Sequence, residues 1–302
     1  MINTKLKGKL KWLNGRPLYC SMSGGKDSTA LGLYLQERDI KFTPVFIDTG
    51  WEHPATYDYV RDVLTYEFGE PIVLRNERLY DEESSINGGM EQLVSRNHMF
   101  PNPITRFCTH ELKLNPMRNF LTRKYIETKK KPINCVGVRA QESSARSKLG
   151  FVEEFDEGTV WRPLLEFSEE DVIALHNKYK VPPNPLYLKG YRRVGCYPCI
   201  YIRKEELRHL AYTNPERVEE ISVIEQRVNK VRRDQGKKPS YFFHARIRSR
   251  EAMDIHETVE WAKTKKGEVL DDVEEIENTG CMRWGLCEQA PTQQPSLFKD
   301  DA

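Results

Sequence analysis

The sequence predicts an α/β protein: a doubly wound, parallel, five-stranded sheet followed by a helical C-terminal region. Three observations carry this. Short apolar runs of strand length alternate with helical patterns over roughly the first 200 of the 302 residues. Several of those runs end in polar or glycine-containing turns, as buried parallel strands do. From about Arg203 the pattern becomes charged and helical. The expected division is therefore 1–200, an α/β domain ending in a Cys-x-x-Cys, and 201–302, an α-rich region.

The first strand is Pro17-Leu18-Tyr19-Cys20, and the first helix starts within Ser21-Met22-Ser23-Gly24-Gly25-Lys26-Asp27-Ser28-Thr29. Two glycines remove the Cβ atoms that would keep an anion at a distance, and the amides of a helix N-terminus stabilise negative charge. Lys26 adds a full charge, and Ser21, Ser23, Ser28 and Thr29 add hydroxyls. Asp27 is an acid beside a phosphate site, suited to completing a metal or capping the helix. The four-residue spacer of a Walker loop is missing. The loop predicts ATP with Mg²⁺ balancing the phosphates.

Val45-Phe46-Ile47 is the second strand, ending in Asp48-Thr49-Gly50. Ligands of open α/β sheets sit at such carboxyl ends. Asp48 is therefore expected beside the glycine loop, with Phe46 and Ile47 flanking the adenine. A helix starts near Pro54, a permitted first-turn position, and Pro71-Ile72-Val73-Leu74 is the third strand. The stretch 81–102 reads as a long loop with one helical piece, and 113–125 as an amphipathic helix. Pro132 to Val138 gives the fourth strand, with Arg139 leaving its end toward the nucleotide or pairing with Glu142 at the surface. Trp161 to Leu165 gives the fifth, and Ser168 with Asp171 makes a capping box for the next helix.

Hydrophobic residues at 38%, charged residues at 30% and a net charge of +2 describe a polar globule whose overall charge does not argue for nucleic acid. No apolar run reaches membrane-spanning length and the N-terminus lacks a signal core, so a cytoplasmic protein is expected. Seven cysteines in a reducing compartment point to ligands or reactive thiols. Cys108 sits among cations at a loop–helix junction, where thiolate is favoured. Cys196 and Cys199 form a Cys-x-x-Cys that suits one metal, and Cys281 and Cys287 supply further sulfurs. All-thiolate ligation by Cys108, Cys196, Cys199 and one of the last two fits zinc or a four-iron four-sulfur cluster, with Cys287 the favoured fourth ligand. Cys20 and Cys135 read as core. Arg232, Arg233, Lys237 and Lys238, interleaved with Tyr241-Phe242-Phe243, suit a nucleic acid backbone with base stacking, or a solvated helix face.

The Ser-Gly-Gly-Lys-Asp-Ser loop, Cys108 with Lys113 and Pro116, Gly137-x-Arg139-x-x-Glu142-Ser143, Arg162-Pro163-Leu164 with Glu169 to Val172, and Tyr187 to Cys199 resemble ordered motifs of the phosphoadenosine-phosphosulfate reductase family, adenine nucleotide α-hydrolase-like in fold. The resemblance covers 17–200 and extends to the ATP pyrophosphatases of DNA phosphorothioation. It implies nucleotide phosphates held at the glycine loop, Lys26, Asp27 and Arg139 in catalysis, and an iron–sulfur cluster. It also implies a sulfur donor such as a cysteine desulfurase and a nucleic acid acceptor, DNA in the first instance. Two departures are visible: Phe107-Cys108 replaces the double cysteine of cluster-bearing reductases, and the Glu-Cys-Gly-Leu-His nucleophile motif of the reductases is absent. ATP-dependent sulfur transfer is thus the first expectation, sulfonucleotide reduction the second, and a non-catalytic binding module with structural zinc the third.

Overall fold

The computed structural model describes residues 11–13, 15–81, 84–243, 253–265, 268–269 and 284. Its sheet has six strands in the order β3-β2-β1-β4-β6-β5: β1 Leu18–Ser21, β2 Thr43–Ile47, β3 Ile72–Leu74, β4 Ile133–Cys135, β5 Val152–Glu154 and β6 Thr159–Trp161. The predicted parallel core is present, since β3, β2, β1, β4 and β6 all run parallel. The correction is a sixth strand, β5, antiparallel to β6 at the edge. Its residues are exposed and two of the three are glutamates, so no apolar pattern announces it; charge on an edge also discourages pairing with another chain. The fifth parallel strand ends earlier than the apolar run Trp161 to Leu165 suggests. Pro163 has no N–H for a ladder, and Leu165 N–H turns back to the Arg162 carbonyl.

Helix α1, Lys26–Gln36, follows β1 and packs against α5, Glu169–Tyr179. Ser168 caps α5 with the expected box: its hydroxyl accepts from Asp171 N–H, and the Asp171 carboxylate accepts from Ser168 N–H. Helix α2 comprises Pro54–Asp58, a π-helical stretch Tyr59–Leu64, and Thr65–Phe68. Within 81–102 the helical piece is α3, Met90–Asn97. Helix α4 runs through Phe107–Thr109, a π-helical stretch His110–Leu114, and Asn115–Thr128. Pro116 explains that widening. It lacks an N–H, and its ring would collide with the carbonyl four residues back, so the turn before it opens.

Beyond the short α6, Pro185–Leu188, the chain forms α7 Lys204–Thr213, α8 Pro215–Asp234 and α9 Ile255–Ala262, then a small hairpin, Thr264–Lys265 with Glu268–Val269. One hydrophobic cluster unites Trp51, Leu79, Met90 and Leu112 with Leu207, Ile221, Phe242 and Val259, so residues on both sides of position 200 share a core. A second cluster lies under the glycine loop, built from Cys20, Leu31, Phe46, Ile133 and Cys135 among others. Cys20 and Cys135 are fully buried, as expected. No described helix is long and apolar enough to cross a membrane.

The basic–aromatic stretch is where packing overrides the pattern. Phe242 is 0% and Phe243 8% exposed, so both rings belong to the core and neither is available for stacking on a base. Burying a side chain of that size stabilises by roughly 1.5–3 kcal/mol. Arg232 is partly covered: it donates to the carbonyl oxygens of Lys238 and His98, bracing the end of α8 against the end of α3. Arg233, Lys237 and Lys238 remain exposed and Tyr241 is half-buried. Residues 244–250, including Arg246, Arg248 and Arg250, which continue the basic run, lie outside the described residues, as do Cys281 and Cys287.

Candidate active site

The strand order reverses between β1 and β4, and an α/β sheet opens a crevice there. The glycine loop leaves β1 and Gly137 to Arg139 leaves β4, so the two face each other across it. Gly24 has φ +73°, and a Cβ there would come within 2.7 Å of the Thr56 methyl. Gly25 is the N-cap of α1 and no side chain caps the helix, so Asp27 is not the cap. The hydroxyls of Ser28 and Thr29 instead donate to the Gly25 carbonyl, and Ser28 Oγ also accepts from Ser23 N–H, which fixes the loop from within. Ser23 is exposed, and its hydroxyl donates to Ser28 Oγ. Ser21 donates to Asn134 Oδ1 on β4 and ties the two strands at the crevice.

Asp27 meets Arg139, whose Nε donates to Asp27 Oδ1 across 112 residues of sequence. Burial works to lower the Arg139 pKa, but the Asp27 charge and hydrogen bond outweigh it and the guanidinium is held firmly charged. Arg139 is 5% exposed. Glu142 accepts from the Arg139 backbone N–H and not from its side chain, so the surface ion pair is not what Arg139 does. Gly137 permits this approach. A Cβ at 137 would lie 2.5 Å from the Asp27 carbonyl oxygen and 2.8 Å from its carbon, both rigid backbone atoms. Gly137→Ala is therefore expected to displace the loop and weaken nucleotide binding about ten- to a hundredfold, the 1–3 kcal/mol typical of overpacking. Isothermal titration with ATP, beside an unchanged circular dichroism spectrum, measures it; unchanged affinity would refute the contact.

Lys26 is 6% exposed and surrounded. Its ammonium lies 3.2 Å from Glu169 Oε1 and 3.8 Å from Asp27 Oδ2, donates to the Arg192 carbonyl at 3.3 Å, and sits 4.9 Å above the Tyr187 ring. Its backbone N–H donates to Tyr187 Oη at 3.0 Å, and its carbonyl oxygen lies 3.0 Å from His176 Nε2. Asn184, fully buried, donates to the Gly24 carbonyl and to Thr56 Oγ1. Two cations and two carboxylates thus share the crevice. An incoming polyphosphate finds fixed positive charge there, and a bound cation would find acids.

At the end of β2, Asp48 Oδ1 accepts from Gly50 N–H and from the Tyr57 hydroxyl. Ile47 is half-buried at this strand end, whereas Phe46 is 3% exposed and packs edge-on to Tyr57, so its ring is core rather than an open face for adenine. Glu52, which the sequence reading passed over, is a buried carboxylate that accepts from Thr49 N–H, Thr49 Oγ1, Trp51 N–H and Tyr57. It also forms an isolated β-bridge with Cys196. Tyr197 N–H donates to the Trp51 carbonyl, and the Trp51 indole N–H donates to the Pro198 carbonyl. Those bonds pin the Cys-x-x-Cys turn onto the end of β2.

Cys108, Cys196 and Cys199 converge on Lys113. Cys196 beside it, against the opposing effect of burial and with help from Glu52, Cys199 and Cys108, holds the Lys113 ammonium above its usual pKa. Burial pushes the Cys196 thiol up to about 11, with Lys113 pulling the other way. Burial likewise raises Cys108, which reverses the expectation that its cationic neighbours would make it a thiolate. Cys196 and Cys199 open onto a cleft lined also by Lys113, Arg193, Tyr201 and Glu206. Among the described residues no set of three or more His, Cys, Asp or Glu is arranged to hold a metal ion. The chemistry of the donors still suits one: three soft sulfurs lie around a partly covered ammonium that works against burial to favour their thiolate form, and thiolates ligate zinc or iron.

A family model described as the phosphoadenosine phosphosulfate reductase domain matches residues 17–202. The chain belongs to the phosphoadenosine phosphosulfate reductase family. Its match therefore spans the glycine loop, Arg139 and the Cys-x-x-Cys together. An uncharacterized 37.8 kDa protein of Escherichia phage 186 is 34% identical over 248 residues, across 69% of this chain and 74% of that protein. An adenosine 5'-phosphosulfate reductase of Geobacillus kaustophilus is 30% identical over 159 residues, and the match covers 51% of this chain and 60% of that enzyme's length. Among solved structures, a phosphoadenylyl-sulfate reductase from Candida auris in complex with phosphate aligns at 19% identity and TM-score 0.47, over 66% of this chain and 90% of that one.

Asn184, Tyr187, Glu169 and His176 were not singled out as site residues from sequence. Asn184-Pro185 carries a helix-start signal, an N-cap followed by proline at the first turn. Nothing in the local pattern says that this helix start lies against the glycine loop.

Proposed function

We propose that this member of the family couples adenine nucleotide binding at the glycine loop to sulfur chemistry at Cys108, Cys196 and Cys199. One observation carries the reading. The segment from Asn184 to Cys199 touches the glycine loop through Asn184, Tyr187 and Arg192 at one end and delivers the cysteines to the end of β2 at the other. Phosphate recognition and sulfur chemistry are thereby joined by about fifteen residues of chain.

The first form of this function is ATP-dependent sulfur transfer. ATP adenylylates an acceptor oxygen with release of pyrophosphate, the terminal sulfur of a donor persulfide then displaces AMP, and a second thiol cleaves the S–S bond, leaving sulfur on the acceptor and a disulfide. Lys26 and Arg139 are suited to the charge that develops on the phosphates, and Mg²⁺ would balance what remains. Cys108, Cys196 and Cys199, with Cys287 as the candidate fourth, are the residues that would hold an iron–sulfur centre or zinc, which would supply thiolate-ligated sulfur chemistry. A nucleic acid, DNA in the first instance, is the proposed acceptor. Exposed Arg233, Lys237 and Lys238 support it, and a cysteine desulfurase would be a fitting donor. The second form is sulfonucleotide reduction, favoured by the named activity of the Geobacillus relative; the absent nucleophile motif speaks against it.

The deciding experiment is anaerobic purification with iron, zinc and sulfide analysis, followed by pyrophosphate release from ATP with and without DNA at low salt. We expect iron with sulfide and DNA-stimulated release. Substituting alanine for Cys108, Cys196 or Cys199 should lower metal content at least severalfold. Reduction of adenylyl sulfate without any ATP turnover would make the reductase reading correct; metal content untouched by all three substitutions would remove the sulfur site.

A further inference from the structure

Trp284 stands far along the chain from the glycine loop and yet is packed behind it. It is 2% exposed. Its ring lies edge-on to His176, with centroids 5.1 Å apart at 81°, and tilted against Tyr187 at 5.7 Å and 48°. Those two side chains have one thing in common: Tyr187 Oη accepts the Lys26 N–H, and His176 Nε2 lies 3.0 Å from the Lys26 carbonyl oxygen. Tyr187 also presents its ring face to the Lys26 ammonium. Both backbone groups and the charge of Lys26 are therefore held by residues that rest on a single indole.

We propose that Trp284 is a positioning residue for the nucleotide phosphates, acting through Tyr187 and His176 on Lys26. A buried ring is close-packed, so its removal leaves a hole that neighbouring rings turn to fill. Tyr187 is the neighbour able to turn, and turning withdraws its hydroxyl from the Lys26 amide and its face from the ammonium. Trp284 itself is thus part of the phosphate site. This rests on the reading of the glycine loop as the nucleotide site, and the test separates the two.

Inorganic pyrophosphate and Mg·ATP are titrated into the full chain, its Trp284→Ala and Trp284→Phe variants, and Lys26→Ala as a control. We expect Trp284→Ala to weaken both ligands at least tenfold and Trp284→Phe to stay within about threefold. In the unmodified chain, the fluorescence component that Trp284→Phe removes should be shielded from acrylamide and should shift on adding pyrophosphate. That readout stands even if Trp284→Ala folds poorly. If the unmodified chain binds the ligands and Trp284→Ala binds them equally well, or if the Trp284 emission ignores pyrophosphate, the inference is overturned while the nucleotide site stands. If the unmodified chain binds neither ligand, both fall together.

Discussion

Lys26→Ala is expected to lower nucleotide-dependent turnover by two to three orders of magnitude, the range seen when one preorganised donor to developing charge is removed. Most of the loss should fall on turnover and less on the fold. Asp27 keeps Arg139 as a partner, and the second hydrophobic cluster does not include Lys26. The measurement is pyrophosphate release at saturating ATP together with a thermal melt. A variant that melts normally and turns over like the unmodified protein would remove the glycine loop from the chemistry. The charge itself is what matters, because the ammonium lies between two carboxylates and has been positioned before any ligand arrives. An arginine at 26 should rescue poorly: a planar fork does not fit where a compact ammonium is held over a tyrosine ring.

The second large effect concerns stability. Glu225 on α8 is 3% exposed, and its two oxygens accept from Phe242 N–H and from Ile255 N–H at the start of α9. Burial raises its pKa to about 7; the two backbone donors oppose this, and Asp254 and Glu257 add to it. The folded protein therefore binds a proton more tightly at this site than the unfolded chain does. The resulting stabilisation is fully present below the unfolded value, 4.5, and is lost as pH rises toward 7. That amounts to about 3 kcal/mol. Glu225→Gln removes the titration. The gap in unfolding free energy between the two proteins should then change by that order between acid and neutral pH, with the unmodified protein losing ground as pH rises. Parallel urea-unfolding profiles over this range would show that Glu225 does not titrate as described.

The legible parts of this molecule were those written locally. The glycine loop, the α5 capping box and the apolar parallel strands each depend on residues within one element and its turn, where spacing and residue type carry the information. Packing decided the rest. Phe242 and Phe243 look like a stacking platform beside basic residues, yet they lie in the core because α8, α9 and the Trp51 region close over them. Strand β5 is charged and exposed, so no periodicity marks it. Glu52, Asn184, Tyr187 and Trp284 matter through partners distant in sequence, and one chain offers no local sign of such pairings. Cys108 shows the same limit in electrostatics: its cationic neighbours are visible in sequence, but the burial that outweighs them is not.

The phosphate crevice also has a timetable. Lys26 is made well before the residue whose carbonyl holds its ammonium, Arg192, 166 positions later. At 5–20 residues per second, translation puts roughly 8–30 s between the two. A growing chain therefore displays its glycine loop long before it possesses the residues that shape it. The loop of a growing chain lacks Arg139, Glu169 and Tyr187, so the arrangement around Lys26 is a late event that needs a finished fold and cannot guide its beginning.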